Sequence, residues 1–188
     1  VGNWYNAIYA DKISFMRCSM AFSLIPDGVY SSVYQINGKA LARRGITLLL
    51  ADLDNTLAKY TQMEPDHDLL VWKDDLVASG VELCILSNSR KPNRVECFAK
   101  ALDVPFLGCA GKPKSGGFLR AMEQMGRTRA QTAMVGDQIF TDILGAKRTG
   151  VLALMVEPIE LAGNPGRYLR YAVEEPFRAL GRHRTRKE

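Results

Sequence analysis

Cysteine is scarce and badly spaced for metal or disulfide work. Cys18, Cys84, Cys97 and Cys109 are the four in 188 residues, and no two of them form a Cys-x-x-Cys pair. That spacing argues against structural zinc. Cys84 in VELCIL and Cys109 in VPFLGCA sit in apolar runs, where cysteine behaves as a small buried hydrophobe, so reduced thiols in a cytoplasmic setting are expected. Long apolar runs are missing as well. None approaches the roughly 20 residues that a membrane-crossing helix requires. No basic leader precedes an apolar core and a small-residue cleavage site, so secretion is not expected. There is no internal repeat and no long linker, which predicts one domain over residues 23–180, with an N-terminal extension over 1–22 and a basic tail over 181–188.

What is present is a globular composition, 47% hydrophobic and 24% charged, with enough chain for one sizeable core. The net charge of +5 is concentrated at one end. From Arg167 onward seven Lys plus Arg face three Glu, and the rest of the chain is close to neutral. Such an end reads as a solvated, partly disordered tail, or as a segment attracted to an anionic surface, phospholipid or nucleic acid.

The chain is organised around Ile46 to Thr56, ITLLLADLDNT. A short apolar run that stops at polar turn formers predicts a buried strand of a parallel sheet, with chemistry at its carboxyl end. Further strands are expected at 81–86 (VELCIL), 104–110 (VPFLGCA), 131–135 and 151–156. Helices are expected from Val33 to Leu41, across Leu69, Leu70, Trp72, Leu76 and Val77, from Pro92 to Leu102, from Phe118 to Met125 and from Ile139 to Arg148. Pro26, Asp27 and Gly28 read as a turn. Strands alternating with helices at this spacing give right-handed crossovers and a parallel sheet covered on both faces: an α/β, three-layer, Rossmann-like fold.

A parallel sheet brings its strand ends to one edge. Asp52 and Asp54 then leave the same face roughly 6 to 7 Å apart, where one carboxylate can attack a phosphoryl group while the other handles a proton. Ser87 and Asn88 can hold non-bridging oxygens, and Lys112 can neutralise the transferring group. Asp137 can complete a hard oxygen shell for magnesium, Mg2+, together with Asp52. Asp142, in GDQIFTD, can orient the lysine or a metal-bound water. Each of these residues alone has an ordinary explanation as a cap or turn former; four strand ends in this order make that explanation improbable.

DLDNT, LSN, the lysine of GKP and GDQIFTD together resemble the four motifs of the haloacid dehalogenase superfamily of phosphotransferases. The resemblance covers roughly residues 44–158. It implies that Asp52 is the nucleophile and Asp54 the general acid and base, that Asp54 also lends its backbone carbonyl to the metal, and that Thr56 steadies the first loop. An acid at position 54 favours phosphomonoester hydrolysis over dehalogenation. Lys112 and Lys114 both lie near the third motif, and the Lys-Pro pairing favours Lys112. A closer likeness, over 23–180, is carried by LIPDGVYSSVYQI, LADLDNTL, LSNSRKPNRV and VGDQIFTDILGAKRTG. These resemble the YqeG group, which includes mitochondrial phosphatidylglycerophosphate phosphatases. Residues 1–19 depart from it.

Neither the interval from Thr56 to Ser87 nor that from Ser87 to Lys112 has room for an inserted cap domain. The site is therefore expected to be open to a large substrate: a lipid headgroup, a phosphoprotein or a nucleic-acid end. Arg90, Lys91 and Arg94 follow the second motif and could bind a second phosphate such as a diester, or be solvated charges at a helix start. Tyr168, Tyr171 and Phe177 beside the basic tail would permit peripheral membrane docking, and packing on the domain explains them equally well. The expected partner is a phosphorylated substrate, with an anionic phospholipid favoured and nucleic acid disfavoured. The alternatives are a phosphatase of phosphosugars or nucleic-acid ends, and a phosphate-binding protein without turnover.

Overall fold

The computed structural model describes residues 23–89, 92–161 and 165–185. Its strands are β1 (Gly28–Tyr30), β2 (Leu48–Ala51), β3 (Glu82–Leu86), β4 (Phe106–Leu107), β5 (Thr132–Gly136) and β6 (Leu152–Val156). They form one six-stranded sheet in the order β1-β6-β5-β2-β3-β4. Every neighbouring pair is parallel. β2 sits between β5 and β3, so the strand carrying the first motif is flanked by the strands carrying the fourth and second.

Alternation along β2 splits the core between two faces. Leu49 and Ala51 pack against α1 (Gly38–Arg43), α2 (His67–Ala78) and α3 (Pro92–Leu102), through Leu41, Leu69, Trp72, Leu76, Val95 and Phe98. Leu48 and Leu50 face the other layer, built from α4 (Ser115–Gln124), α5 (Leu144–Thr149) and α6 (Pro165–Thr185). The three-layer α/β architecture expected from the sequence is the architecture observed, and no cap domain is inserted among the described residues.

Several boundaries differ for physical reasons. Gly28 opens edge strand β1 rather than closing a turn, because it pairs with Leu154 of β6. The helix expected from Val33 breaks into a 3-10 turn, Val33–Gln35, and α1. Asn37 ends the first piece and caps the second, accepting a hydrogen bond from the Ala40 N–H at 3.1 Å. In α2, Leu69, Trp72 and Leu76 are buried, whereas Leu70 is half-buried and Val77 exposed. At 100° per residue the latter two lie almost a quarter-turn off the buried stripe. The 104–110 strand shrinks to two residues, and the 139–148 helix opens with a π-helical turn, Ile139–Ile143.

The largest difference is at the basic end. Residues 165–185 form a single helix, so a boundary at 180/181 falls inside α6. Gly181 packs so closely on β1 that an added Cβ would stand 2.5 Å from Pro26 and 2.7 Å from Val29. The Thr185 hydroxyl accepts the Val29 N–H at 2.9 Å. Among the described residues no helix is long and apolar enough to cross a membrane. The extension over 1–22 lies outside the described residues.

Candidate active site

Asp52 is the first residue beyond β2, and its N–H still donates to Val135 of β5 at 3.0 Å, so the sheet ladder fixes its position. The chain then turns sharply. Asn55 adopts φ 63°, a left-handed conformation that asparagine tolerates, and its N–H donates to the Ala58 carbonyl at 2.8 Å. Asn55 and Thr56 are both buried in this loop.

The second and third motifs are built as a unit. Ser87, buried directly after β3, accepts the Ser89 N–H through its hydroxyl oxygen at 3.0 Å. The Asn88 side chain donates to the Lys112 carbonyl at 2.9 Å and accepts the Lys112 N–H at 2.8 Å. This two-point clamp corrects the expectation that the Asn88 amide faces the substrate: both ends of the amide are used in holding the lysine loop. Lys112, buried, then reaches Asp52 Oδ1 at 2.6 Å and Asp142 Oδ1 at 2.7 Å. Lys114 is exposed at the start of α4, so Lys112 is the third-motif lysine that meets the acids.

Asp137 follows β5, and the π-helical turn returns Asp142 beneath it. Gly136 is required there, because a Cβ would stand 2.4 Å from the Asp142 carboxyl carbon. Asp52, Asp137 and Asp142 each present an oxygen within 4.8 Å of the others, all buried. Three carboxylates against one ammonium leave an excess of negative charge away from water. Burial, opposed by Lys112 and reinforced by Asp142, pushes Asp52 up to about 7. Burial, Asp142 and Asp52 push Asp137 well above the carboxylate range. Burial pulls Lys112 down, but Asp142 and Asp52 outweigh it, so the lysine stays charged. Asp137 Oδ1 is buried with no hydrogen-bond partner among the described residues. An orphaned acceptor in a hard-oxygen, negatively charged cluster fits a divalent cation.

Asp54 is placed differently from Asp52. Its carboxylate lies outside the acidic cluster and is paired with Arg94, Nη1 to Oδ1 at 2.5 Å. Arg94 Nη2 also donates to the Lys59 carbonyl at 2.7 Å. Arg94, expected as a candidate for a second phosphate, is thus buried and committed to Asp54 and to the loop behind it. Arg90 and Lys91 lie outside the described residues.

Sequence reasoning missed the contribution of α6. Glu174 accepts the N–H groups of Ile139 and Phe140 at 3.0 and 3.4 Å, filling the amides that open the π-helical turn. Arg178, expected in a solvated tail, is buried; its Nη2 donates to the Asp137 carbonyl at 2.7 Å and to Glu174 Oε2 at 3.0 Å. The Arg178 guanidinium stacks on Tyr171 at 4.5 Å, and the Tyr171 hydroxyl donates to Glu157 at 2.9 Å. Phe177 packs against the core. Of the three aromatics considered for membrane docking, Tyr168 is the exposed one. A Glu and an Arg four residues apart signal only a helical pair; nothing local marks them as buried.

Residues 109–158 match the model of the HAD-hydrolase-like family. The chain is 30% identical over 135 residues to "Probable phosphatase YqeG" of Bacillus subtilis, covering 72% of this chain and 78% of the relative. It is 28% identical over 183 residues to the chloroplastic phosphatidylglycerophosphate phosphatase 1 of Chlamydomonas reinhardtii, covering 86% of this chain and 68% of that one. Among solved structures, the 3-deoxy-D-manno-octulosonate 8-phosphate phosphatase of Yersinia pestis overlaps 84% of this chain and 94% of its own, at 15% identity and a TM-score of 0.43. With a six-stranded parallel sheet and the acidic strand ends in place, the chain belongs to the YqeG group of haloacid dehalogenase-like phosphatases.

Proposed function

We propose that the protein is a Mg2+-dependent phosphomonoester hydrolase working through an aspartyl-phosphate on Asp52, and that its favoured substrate is phosphatidylglycerophosphate. The observation that carries the chemistry is the buried Lys112 ammonium held between Asp52 and Asp142, with Asp137 in the same cluster. Asp52 and Asp137, with the backbone carbonyl of Asp54, would hold the cation, which when bound neutralises charge between the carboxylates and the phosphoryl oxygens. A carboxylate oxygen of Asp52 attacks phosphorus as the bond to the leaving alkoxide breaks. Asp54 gives that alkoxide a proton. In the second half, Asp54 takes a proton from the water that attacks the acyl phosphate, which releases inorganic phosphate and restores both acids. Lys112 balances the charge on the transferring group. Asp142 keeps Lys112 aimed, and Thr56 and Ser87 shape the phosphate seat.

Two observations support the lipid substrate: the absence of a cap over the strand ends among the described residues, and the similarity to a relative named for phosphatidylglycerophosphate. Such a substrate calls for peripheral contact with a membrane. The catalytic unit runs from residue 23 to the end of α6, because that helix supplies bonds to the Asp137 loop. The test is a panel with Mg2+: phosphatidylglycerophosphate in mixed micelles, soluble phosphosugars and an aryl phosphate. Release from the lipid should exceed release from phosphosugars by at least an order of magnitude. Equal rates would contradict the lipid reading, and no Mg2+-dependent release from any of them would contradict the enzyme.

A further inference from the structure

A phosphatidylglycerophosphate headgroup carries two phosphates, the terminal monoester that is cleaved and the diester that stays on the lipid. Reading both requires a cation beyond the reacting centre. The cations near that centre sort by partner. Lys112 is taken by Asp52 and Asp142, Arg94 by Asp54, and Arg178 by Glu174 and Glu157. Arg170 differs from all three. Its Nη1 donates to Gln138 Oε1 at 3.1 Å, a neutral acceptor, and it forms no ion pair among the described residues.

Arg170 is half-buried in the second turn of α6 and lines one cleft with Asn55, Asp137, Pro158, Leu161 and Tyr171. That cleft opens beside the acidic cluster, between α6 and the loops that follow β2 and β6. The loops are tied together there, since Asn55 Nδ2 donates to the Glu160 carbonyl at 2.9 Å and the Ile159 N–H to the Asn55 carbonyl at 3.1 Å. Its carboxylates are already engaged. Glu174 is held by Arg178 and two backbone N–H groups, and Asp137 belongs to the cation cluster. The Arg170 charge is near enough to Asp137 to oppose its upward shift, so the guanidinium stands close to the reacting centre without being part of it.

We propose that Arg170 recognises the second, diester phosphate of the substrate in the cleft between α6 and the loops after β2 and β6. The inference rests on the phosphatidylglycerophosphate reading above. A guanidinium bound to a neutral amide exchanges that bond for a charge-assisted, two-pronged one when a phosphodiester enters. Pro158 and Leu161 give the cleft an apolar wall for the glycerol carbons between the two phosphates.

The experiment compares wild type, Arg170→Gln and Arg170→Lys on an aryl phosphate, the deacylated headgroup glycerophosphoglycerophosphate, and phosphatidylglycerophosphate in mixed micelles. In Arg170→Gln the headgroup-to-aryl ratio of kcat/KM should fall about tenfold or more, mainly through KM, with the lipid falling alongside the headgroup. Arg170→Lys should recover part of that ratio. If wild type prefers the headgroup and the ratio is unchanged in Arg170→Gln, Arg170 does not read the diester and this inference fails alone. A fall confined to the micellar lipid also overturns it, because Arg170 would then be reading a charged surface. If wild type shows no preference for the headgroup over the aryl phosphate, the substrate reading fails and this one with it.

Discussion

At the scale of single residues, the site is set by how one lysine is shared. Lys112 lies 2.6 and 2.7 Å from two carboxylates and is itself fixed by the Asn88 clamp. Replacing it by methionine leaves a buried acidic cluster without its ammonium, and should lower kcat/KM for an aryl phosphate by about 100-fold or more. Asn88→Ala should cost about tenfold by loosening the lysine loop, with the loss in kcat rather than KM. Steady-state kinetics at saturating Mg2+ checks both; a pure KM effect in Asn88→Ala would return that amide to the substrate. The strand-end residues were legible in the sequence because Asp52, Ser87 and Asp137 each follow an apolar run directly, and a parallel sheet leaves them one edge to share. The part played by Asn88 was not. Its partner stands 24 residues away, and an amide after a strand looks the same whether it faces a ligand or a backbone. Arg94 was misread for a similar reason: a cation beside a phosphate motif suggests an anion in solution, and the anion it meets is Asp54 of the same chain.

At the scale of elements, α6 decides how firmly the fourth motif is held. Glu174 and Arg178 are buried on that helix, and between them they bind the amides of Ile139 and Phe140 and the carbonyl of Asp137. Breaking a buried pair by removing one partner costs about 3 to 5 kcal/mol. Arg178→Met should therefore lower stability by about that much in urea unfolding, and also raise the Mg2+ concentration needed to stabilise the fold. If the Mg2+ midpoint does not move, α6 is a packing element without influence on Asp137. The sequence hid this helix. Its Arg and Glu content reads as a solvated tail, and only contact with β1 and the Asp137 loop shows which of those charges are inside. Strand β1 was hidden too, since three residues after Pro26 and Asp27 are too few to show alternation. By contrast α3 was legible from end to end, because Pro92 opens it and its apolar positions keep helical spacing.

At the scale of the whole molecule, the sheet order places β2 between β3 and β5, so acids and lysine from distant stretches meet at one rim. That concentration of buried carboxylates makes stability depend on pH and on metal. Asp52 is pushed up to about 7 and Asp137 is also raised, mainly by burial, against about 3.9 in an unfolded chain. The folded state then binds more protons than the unfolded one, so metal-free stability is greatest below about pH 4 for these groups and is lost as pH rises toward 7. In EDTA, the wild-type melting temperature should fall between pH 5 and pH 7 more steeply than that of Asp52→Asn. Saturating Mg2+ should flatten the wild-type profile. Identical slopes for the two proteins in EDTA would mean that Asp52 is not held as described. The account depends most on Asp52 itself becoming phosphorylated. Rapid acid quenching of a turnover mixture containing labelled substrate and Mg2+, followed by peptide mapping, reads this directly. The result predicted is an acyl phosphate on Asp52, destroyed by hydroxylamine and absent from Asp52→Asn. Label on another residue, or undiminished turnover by Asp52→Asn, would contradict it.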